Sequence, residues 1–158
     1  LSEQLKVPLK DVAKKVSGLS EERKSLERQL ADTKRALAMA GESGAPSGPE
    51  EINGVKLIAR VAEGVGGKDL RALIEEAKAQ MKSGIAGFIG GNEGKAAVAV
   101  GVTEDLVGTH SAVDLVRVAS AEVGGKGGGG RPDMAQAGGP DGSNAEAALE
   151  AVRAALKG

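Results

Sequence analysis

Apolar positions recur with two different periods along this chain, and the change between them divides it. From Leu9 to Ala40 the positions Leu9, Val12, Val16, Leu19, Arg23, Leu26, Leu30, Thr33, Leu37 and Ala40 follow one another at spacings of three and four without a break. Eight of the ten are apolar, so the pattern predicts one amphipathic helix over about residues 8–40, roughly 48 Å long at 1.5 Å per residue. Pro8 suits its first turn, where a missing N–H is harmless. The phase runs through Gly18 unchanged, so a single helix is expected despite the roughly 1 kcal/mol that glycine costs relative to alanine. So narrow a seam calls for a partner helix, either in the same chain or in a second copy. The candidate oligomerisation residues are therefore Leu9, Val12, Val16, Leu19, Leu26, Leu30 and Leu37.

Periodicity stops at residues 41–51 (GESGAPSGPEE), a Gly-, Pro- and Ser-rich stretch that reads as a linker. Beyond it, residues 55–61 (VKLIARV) alternate with period two, as in a half-buried strand. Residues 67–82 return to helical spacing with Leu70, Leu73, Ile74, Ala77 and Met81. Residues 85–89 form a short apolar run, 90–94 a turn, and 96–102 (AAVAVGV) another strand. The short connection predicts antiparallel pairing of these two strands. Residues 111–123 are helical, with Val113, Leu115, Val116, Ala119 and Val123 on one face. Ser143 or Asn144 caps a last helix ending near Lys157. The order β-α-β-β-α-α gives a mixed α/β fold: a long heptad helix (1–40), a linker (41–51), and a small mixed sheet covered by helices (52–158) with an aliphatic, alanine-rich core.

Composition removes several kinds of chemistry. The 158 residues include no Cys, Trp or Tyr, one Phe (Phe88) and one His (His110). Disulfides, thiolate metal sites and multi-histidine centres are excluded, and no metal site or cofactor is expected in this chain. His110 pairs with no nucleophile and reads as a helix-entry residue, so no catalytic residue is assigned. No apolar run approaches the 18–20 residues of a membrane span, and the polar first residues carry no signal peptide. A cytoplasmic location with no membrane partner is expected. Leu1 in place of an initiator Met predicts a piece of a longer protein.

Net charge is −1, against the strongly basic balance of most nucleic-acid-binding domains. The charge is uneven, however: +3 over residues 1–40, −3 over 41–51 and −1 over 52–158. Opposite the apolar seam lie Lys10, Lys14, Ser17, Glu21, Lys24, Arg28, Ala31 and Arg35, five of them basic. Any nucleic-acid contact has to use such local stripes.

Glycine accounts for 25 residues, and six fall within the seven positions 124–130. Gly124, Gly125, Gly127, Gly128, Gly129 and Gly130 read as a loop whose purpose is backbone geometry. Two uses stay open on composition: close packing of a helix on a sheet, or contact with phosphate. In the second, successive amides form an anion nest, Lys126 and Arg131 supply charge, and Pro132-Asp133 starts a short helix whose N-terminus favours anions. Mononucleotide and dinucleotide loops do not fit, because Asp69 follows Lys68 and Ala96 follows Lys95 where Ser or Thr is needed, and Asp69 also spoils a GxGxxG reading from Gly64.

The string GGKGGGGRPDMAQAGG resembles the closing motif of bacterial alanyl-tRNA synthetases, in the DHH-associated domain that ends them. The resemblance extends over the whole chain: the heptad helix is similar to the coiled segment preceding that domain, GPEEINGVKLIARVAEG to its entry strand and KAAVAVGVTEDL to its inner strand. One departure is the run of four glycines after Lys126, where three are commoner. The resemblance implies a non-catalytic tRNA-binding and assembly module that holds the outer corner of tRNA(Ala). ATP, Mg and Zn would serve the aminoacylation and editing domains upstream in the same chain, and a homodimer is possible. On this reading Lys10, Lys14, Lys24, Arg28, Arg35, Lys126 and Arg131 are the nucleic-acid-binding candidates. The alternatives are a purely structural oligomerisation domain without RNA affinity and the C-terminal half of a DHH-type phosphoesterase. DHH-type phosphoesterases end in the same domain but carry a histidine after their glycines, where this chain has Arg131.

Overall fold

The computed structural model describes residues 12–40, 48–92 and 94–158, without the side chains of Arg35, residues 38–40 and Asn92. The chain separates into two compact units, Leu1–Thr33 and Lys34–Gly158. Helix α1 covers Val12–Ala40 as one uninterrupted element. Its expected start at residue 8, with Leu9 and Lys10, lies outside the described residues. The heptad residues are open to solvent: Val16, Leu19, Leu26, Leu30 and Leu37 are between 44% and 58% exposed. Arg23 and Glu27 pair across one turn at 3.6 Å, an exposed contact worth a few tenths of a kcal/mol.

The second unit is a six-stranded mixed sheet in the order β1-β2-β3-β4-β6-β5. Its strands are β1 (Glu50–Ile52), β2 (Val55–Glu63), β3 (Ile85–Asn92), β4 (Lys95–Val102), β5 (Gly128–Arg131) and β6 (Met134–Gly139). Helix α2 (Gly67–Met81) links β2 to its parallel neighbour β3. Helix α3 (Ala112–Glu122) follows β4, and α4 (Ala145–Lys157) closes the chain. The expected antiparallel pairing of β3 with β4 is present, from Ile85 opposite Val102 to Asn92 opposite Lys95. Residues 90–92, expected in the turn, instead extend β3.

Helices cover both faces. Leu70, Leu73, Ile74, Ala77 and Met81 of α2 pack on Ile58, Phe88, Ala99 and Met134 on one side. Val116 and Ala119 of α3 and Leu149, Val152 and Leu156 of α4 pack on Leu57, Ile89, Val98, Val100 and Ala135 on the other. This corrects β2 from half-buried to buried across residues 57–60, because a parallel pair needs its crossover helix on one face and is covered on the other as well. The expected aliphatic, alanine-rich core is present, with Phe88 fully enclosed.

Three strands escaped the period-two pattern. Strand β1 occupies Glu50–Ile52, inside the stretch expected as linker, of which residues 41–47 lie outside the described residues. It turns into β2 through Asn53 (φ 50°) and Gly54 (φ 81°), the positive-φ pair favoured in two-residue hairpins. Arg153 of α4 donates to both Glu50 carboxylate oxygens, at 3.1 and 2.7 Å, and the Asn53 amide donates to the Leu156 carbonyl at 3.0 Å. The expected glycine loop is in part strand β5, paired antiparallel with β6 from Gly128 opposite Ala137 to Arg131 opposite Met134. Pro132-Asp133 is the hairpin turn between them, not the first turn of a helix.

Side-chain volume explains the glycines. A Cβ on Gly128 would come within 3.0 Å of Val116 and Ala137, and one on Gly139 within 3.0 Å of Val123. Helix α3 therefore rests directly on the β5–β6 backbone. Gly128→Val is expected to destabilise the unit by about 1–3 kcal/mol through overpacking. Its φ is not positive, so the damage comes from the helix contact and not from backbone strain. Thermal melting of the variant against the wild type measures the loss.

Candidate nucleic-acid interface

The hairpin β5–β6 has two unlike faces. Gly128 faces α3, whereas a Cβ on the next residue, Gly129, would meet nothing within 4 Å. That open face borders the flank of α2. Between them is a cleft of about 340 Å³ lined by Arg71, Gly129, Gly130, Arg131, Met134 and Gln136. Met134 is buried and forms part of the floor. The Gln136 side-chain amide donates to the Gly67 carbonyl at 2.8 Å, which ties the hairpin to the first turn of α2. The turn is held from the other directions too, since the amides of Ala112 and Val102 donate to the carbonyls of Pro132 and Asp133 at 2.9 Å each.

Two guanidinium groups line this cleft. Arg131 is exposed and forms a forked pair with Asp133, Nε to Oδ1 at 3.2 Å and Nη2 to Oδ2 at 3.3 Å. Its Nη1 has no partner among the described residues. Arg71 sits exposed on α2. The sequence did not single out Arg71, and only the pairing of β6 beside β4 brings it next to Arg131. Lys126 is exposed in the segment before β5 and is not among the lining residues.

The strand geometry also answers what the glycines do. In an extended strand successive amides point in opposite directions, so residues 128–130 do not converge on one anion as a nest would. Gly128 and Gly139 serve helix-to-sheet packing, Gly129 borders open space, and positive charge at the cleft comes from side chains. Gly124 (φ 70°) and Gly127 (φ 107°) turn the chain out of α3 and into β5.

On α1, Lys14, Lys24 and Arg28 are exposed; Lys10 and the side chain of Arg35 lie outside the described residues. His110 stands just before Ser111, the N-cap residue of α3, and its backbone N–H donates to the Leu106 carbonyl at 2.8 Å. Among the described residues no three His, Asp or Glu side chains gather as a metal site would require, and no helix is long and apolar enough to cross a membrane.

The model of the DHHA1 domain matches residues 54–158. The chain belongs to the DHHA1 family. The resemblance carried by the glycine motif is thus borne out, and the similarity extends through α1. Alanine–tRNA ligase of Hyphomonas neptunium is 65% identical over the whole chain, and alanine–tRNA ligase of Chelativorans sp. is 56% identical over 98% of it. The chain spans 18% of the length of each of these relatives. Among solved structures, the C-Ala domain of Aquifex aeolicus alanyl-tRNA synthetase matches with a TM-score of 0.65 and 25% identity, over 70% of this chain and 98% of that one. A DHH-domain protein described as a member of the s1p family of ribosomal proteins matches with a TM-score of 0.51 and 12% identity, over 90% of this chain and 33% of that one. That second likeness concerns the fold alone.

Proposed function

We propose that this DHHA1 chain is the C-terminal tRNA-binding and assembly module of an alanine–tRNA ligase, non-catalytic in itself, working in the cytoplasm. The observation that carries the reading is the end-to-end similarity to alanine–tRNA ligases together with a fold shared with a C-Ala domain. The residues agree with it: basic side chains that could meet RNA are exposed on elements of both units.

The module holds the outer corner of tRNA(Ala) while the upstream aminoacylation and editing domains act on the acceptor end. Tethering raises the effective concentration of that end at the editing site, so a mischarged tRNA is re-encountered before release. ATP, Mg and Zn belong to those upstream domains. One histidine and no cysteine give this chain no ligand set for zinc.

Binding through phosphates is favoured by the chemistry present. Without Trp or Tyr the chain has no platform on which to stack splayed bases, whereas Lys14, Lys24, Arg28, Lys126 and Arg131, with Lys10 and Arg35, supply charge. Each neutralised phosphate adds roughly 0.7–0.9 to the slope of log K against log salt. With about four to six contacts, tRNA affinity is expected to fall on the order of 100-fold or more between 50 and 200 mM salt, with little preference for the cognate tRNA. Titration of cognate and non-cognate tRNA at both salt concentrations checks this. Selective, salt-insensitive binding would mean base readout, and no binding at either concentration would favour a purely structural module.

Assembly is assigned to the seam of α1, with a second copy of the chain as its partner. The exposed Val16, Leu19, Leu26, Leu30 and Leu37, with Val12 and Leu9, keep a self-complementary heptad spacing. Replacing Leu26 and Leu30 with Asp would bury unpaired charge at the seam and is expected to convert a dimer to monomer in sedimentation. A dimer that survives both substitutions would place association in the globular unit.

A further inference from the structure

Helix α2 carries a second basic stripe that its sequence position gives no reason to notice. Positions 68, 71, 75 and 78 are spaced three, four and three residues apart and so share one face. They are Lys68, Arg71, Glu75 and Lys78. The buried face of the same helix is formed by Leu70, Leu73, Ile74, Ala77 and Met81. Two of its members, Arg71 and Lys78, are placed toward the β4–β6 side of the sheet. Arg71 lines the cleft with Arg131. Lys78 lies alongside β4, its Cδ 3.1 Å from where a Cβ on Gly101 would stand, and Gly101 pairs with Met134 in the cleft floor. Lys68 follows Gly67, whose carbonyl is held by Gln136.

These positions describe a groove. One wall is the basic flank of α2, about 15 Å long from Lys68 to Lys78 at 1.5 Å per residue. The floor is the uncovered face of β5–β6, kept shallow by the absence of a side chain at Gly129. The far rim carries Arg131. Against these four bases stand two acids, Glu75 on the same helix face and Asp133, which is occupied in orienting Arg131. The groove is therefore locally positive on a unit that is acidic overall.

We infer that this groove seats the phosphate–ribose backbone of a double-helical RNA segment, with Arg71 and Arg131 gripping phosphates and Lys68 and Lys78 following the strand. The inference rests on the tRNA-binding reading above and adds to it a surface and a residue, Arg71, that the sequence did not single out. Guanidinium forks suit phosphate oxygens, which they contact through paired N–H bonds. The bare strand lets a sugar–phosphate chain approach the sheet, where a side chain at 129 would hold it off. A membrane surface does not fit, because the one exposed large hydrophobic residue among the described residues from 48 onward, Val118, is on α3 across the sheet. Stacked single-stranded bases do not fit either, since Phe88 is fully buried.

The test measures binding of a fluorescent tRNA transcript to the whole chain and to four variants. Gly129→Val adds a strand-favouring side chain into open space at a φ that is not positive, so it is expected to melt as the wild type does and to bind about tenfold more weakly. Arg71→Gln is expected to lose about tenfold and to lower the salt slope by about 1, and Arg71→Gln with Lys78→Gln to lower it by about 2. Lys157→Gln, at the end of α4 on the opposite side of the sheet, is the charge-matched control and is expected to leave the curve near that of the wild type. If the Gly129 variant loses thermal stability, the exposed Arg71 position alone decides. Salt-dependent binding that none of the groove variants changes would overturn the groove while leaving the tRNA-binding reading standing. A wild-type chain that binds no tRNA would overturn both. Displacement of the tRNA by a simple mononucleotide at constant ionic strength would make the cleft a small-phosphate site and also overturn the inference.

Discussion

Close approach between helix α3 and the backbone of the β5–β6 hairpin is the contact on which the rest of the globular unit depends. It is possible only because glycine stands at positions 128 and 139, where any Cβ would collide with Val116 or Val123. With α3 seated there, its first residue, Ala112, reaches the carbonyl of Pro132, and β6 is carried in beside β4. The hairpin thus has one face sealed by a helix and one left bare. The bare face, placed next to α2 by the sheet order, becomes the cleft. Packing on one side of a strand and accessibility on the other are consequences of the same glycine run.

What was legible in the sequence follows from how each element earns its stability. Helices α2 to α4 bury one stripe each and α1 carries an unbroken apolar seam that stays exposed, so their helical period was plain. The β3–β4 hairpin was legible from two apolar runs and a short connection. Strands β5 and β6 were not, because a glycine or alanine strand gives no alternation of apolar and polar residues and glycine is a poor strand former. The signal that could have found β1 was present and unused: Asn53-Gly54 between Ile52 and Val55 is a strong hairpin turn signature. The glycine segment left two uses open; the structure shows packing at Gly128, which lies against Val116, and diverging amides along β5, while Gly129 makes no packing contact. Arg71 was out of reach for a different reason. Its neighbour in the cleft is sixty residues away in sequence, and only the strand order brings the two together.

On the proposed reading, net charge is a poor guide for a related reason. A chain of charge −1 is unlike the strongly basic balance of most nucleic-acid-binding domains, yet part of its basic count is gathered along α2 and the hairpin rim. Glu50 is held by Arg153 on the far side of the sheet, so this acid does not face the hairpin rim. What reaches a partner is the local field of α2 and the hairpin rim, and that field acts only within about a Debye length, some 8–10 Å at physiological salt. Such a surface suits a module that keeps a large RNA near other domains, where weak and reversible contact is an advantage and sequence readout is not required.

The most direct measurement is an amide NMR titration of the isotope-labelled chain with tRNA, which reports every backbone position at once. The account predicts that the amides of Gly129, Gly130, Arg131, Arg71 and Lys78 shift together and saturate at one concentration, while those of α4 stay in place. Shifts confined to α3 and α4, with the hairpin and α2 unmoved, would contradict it.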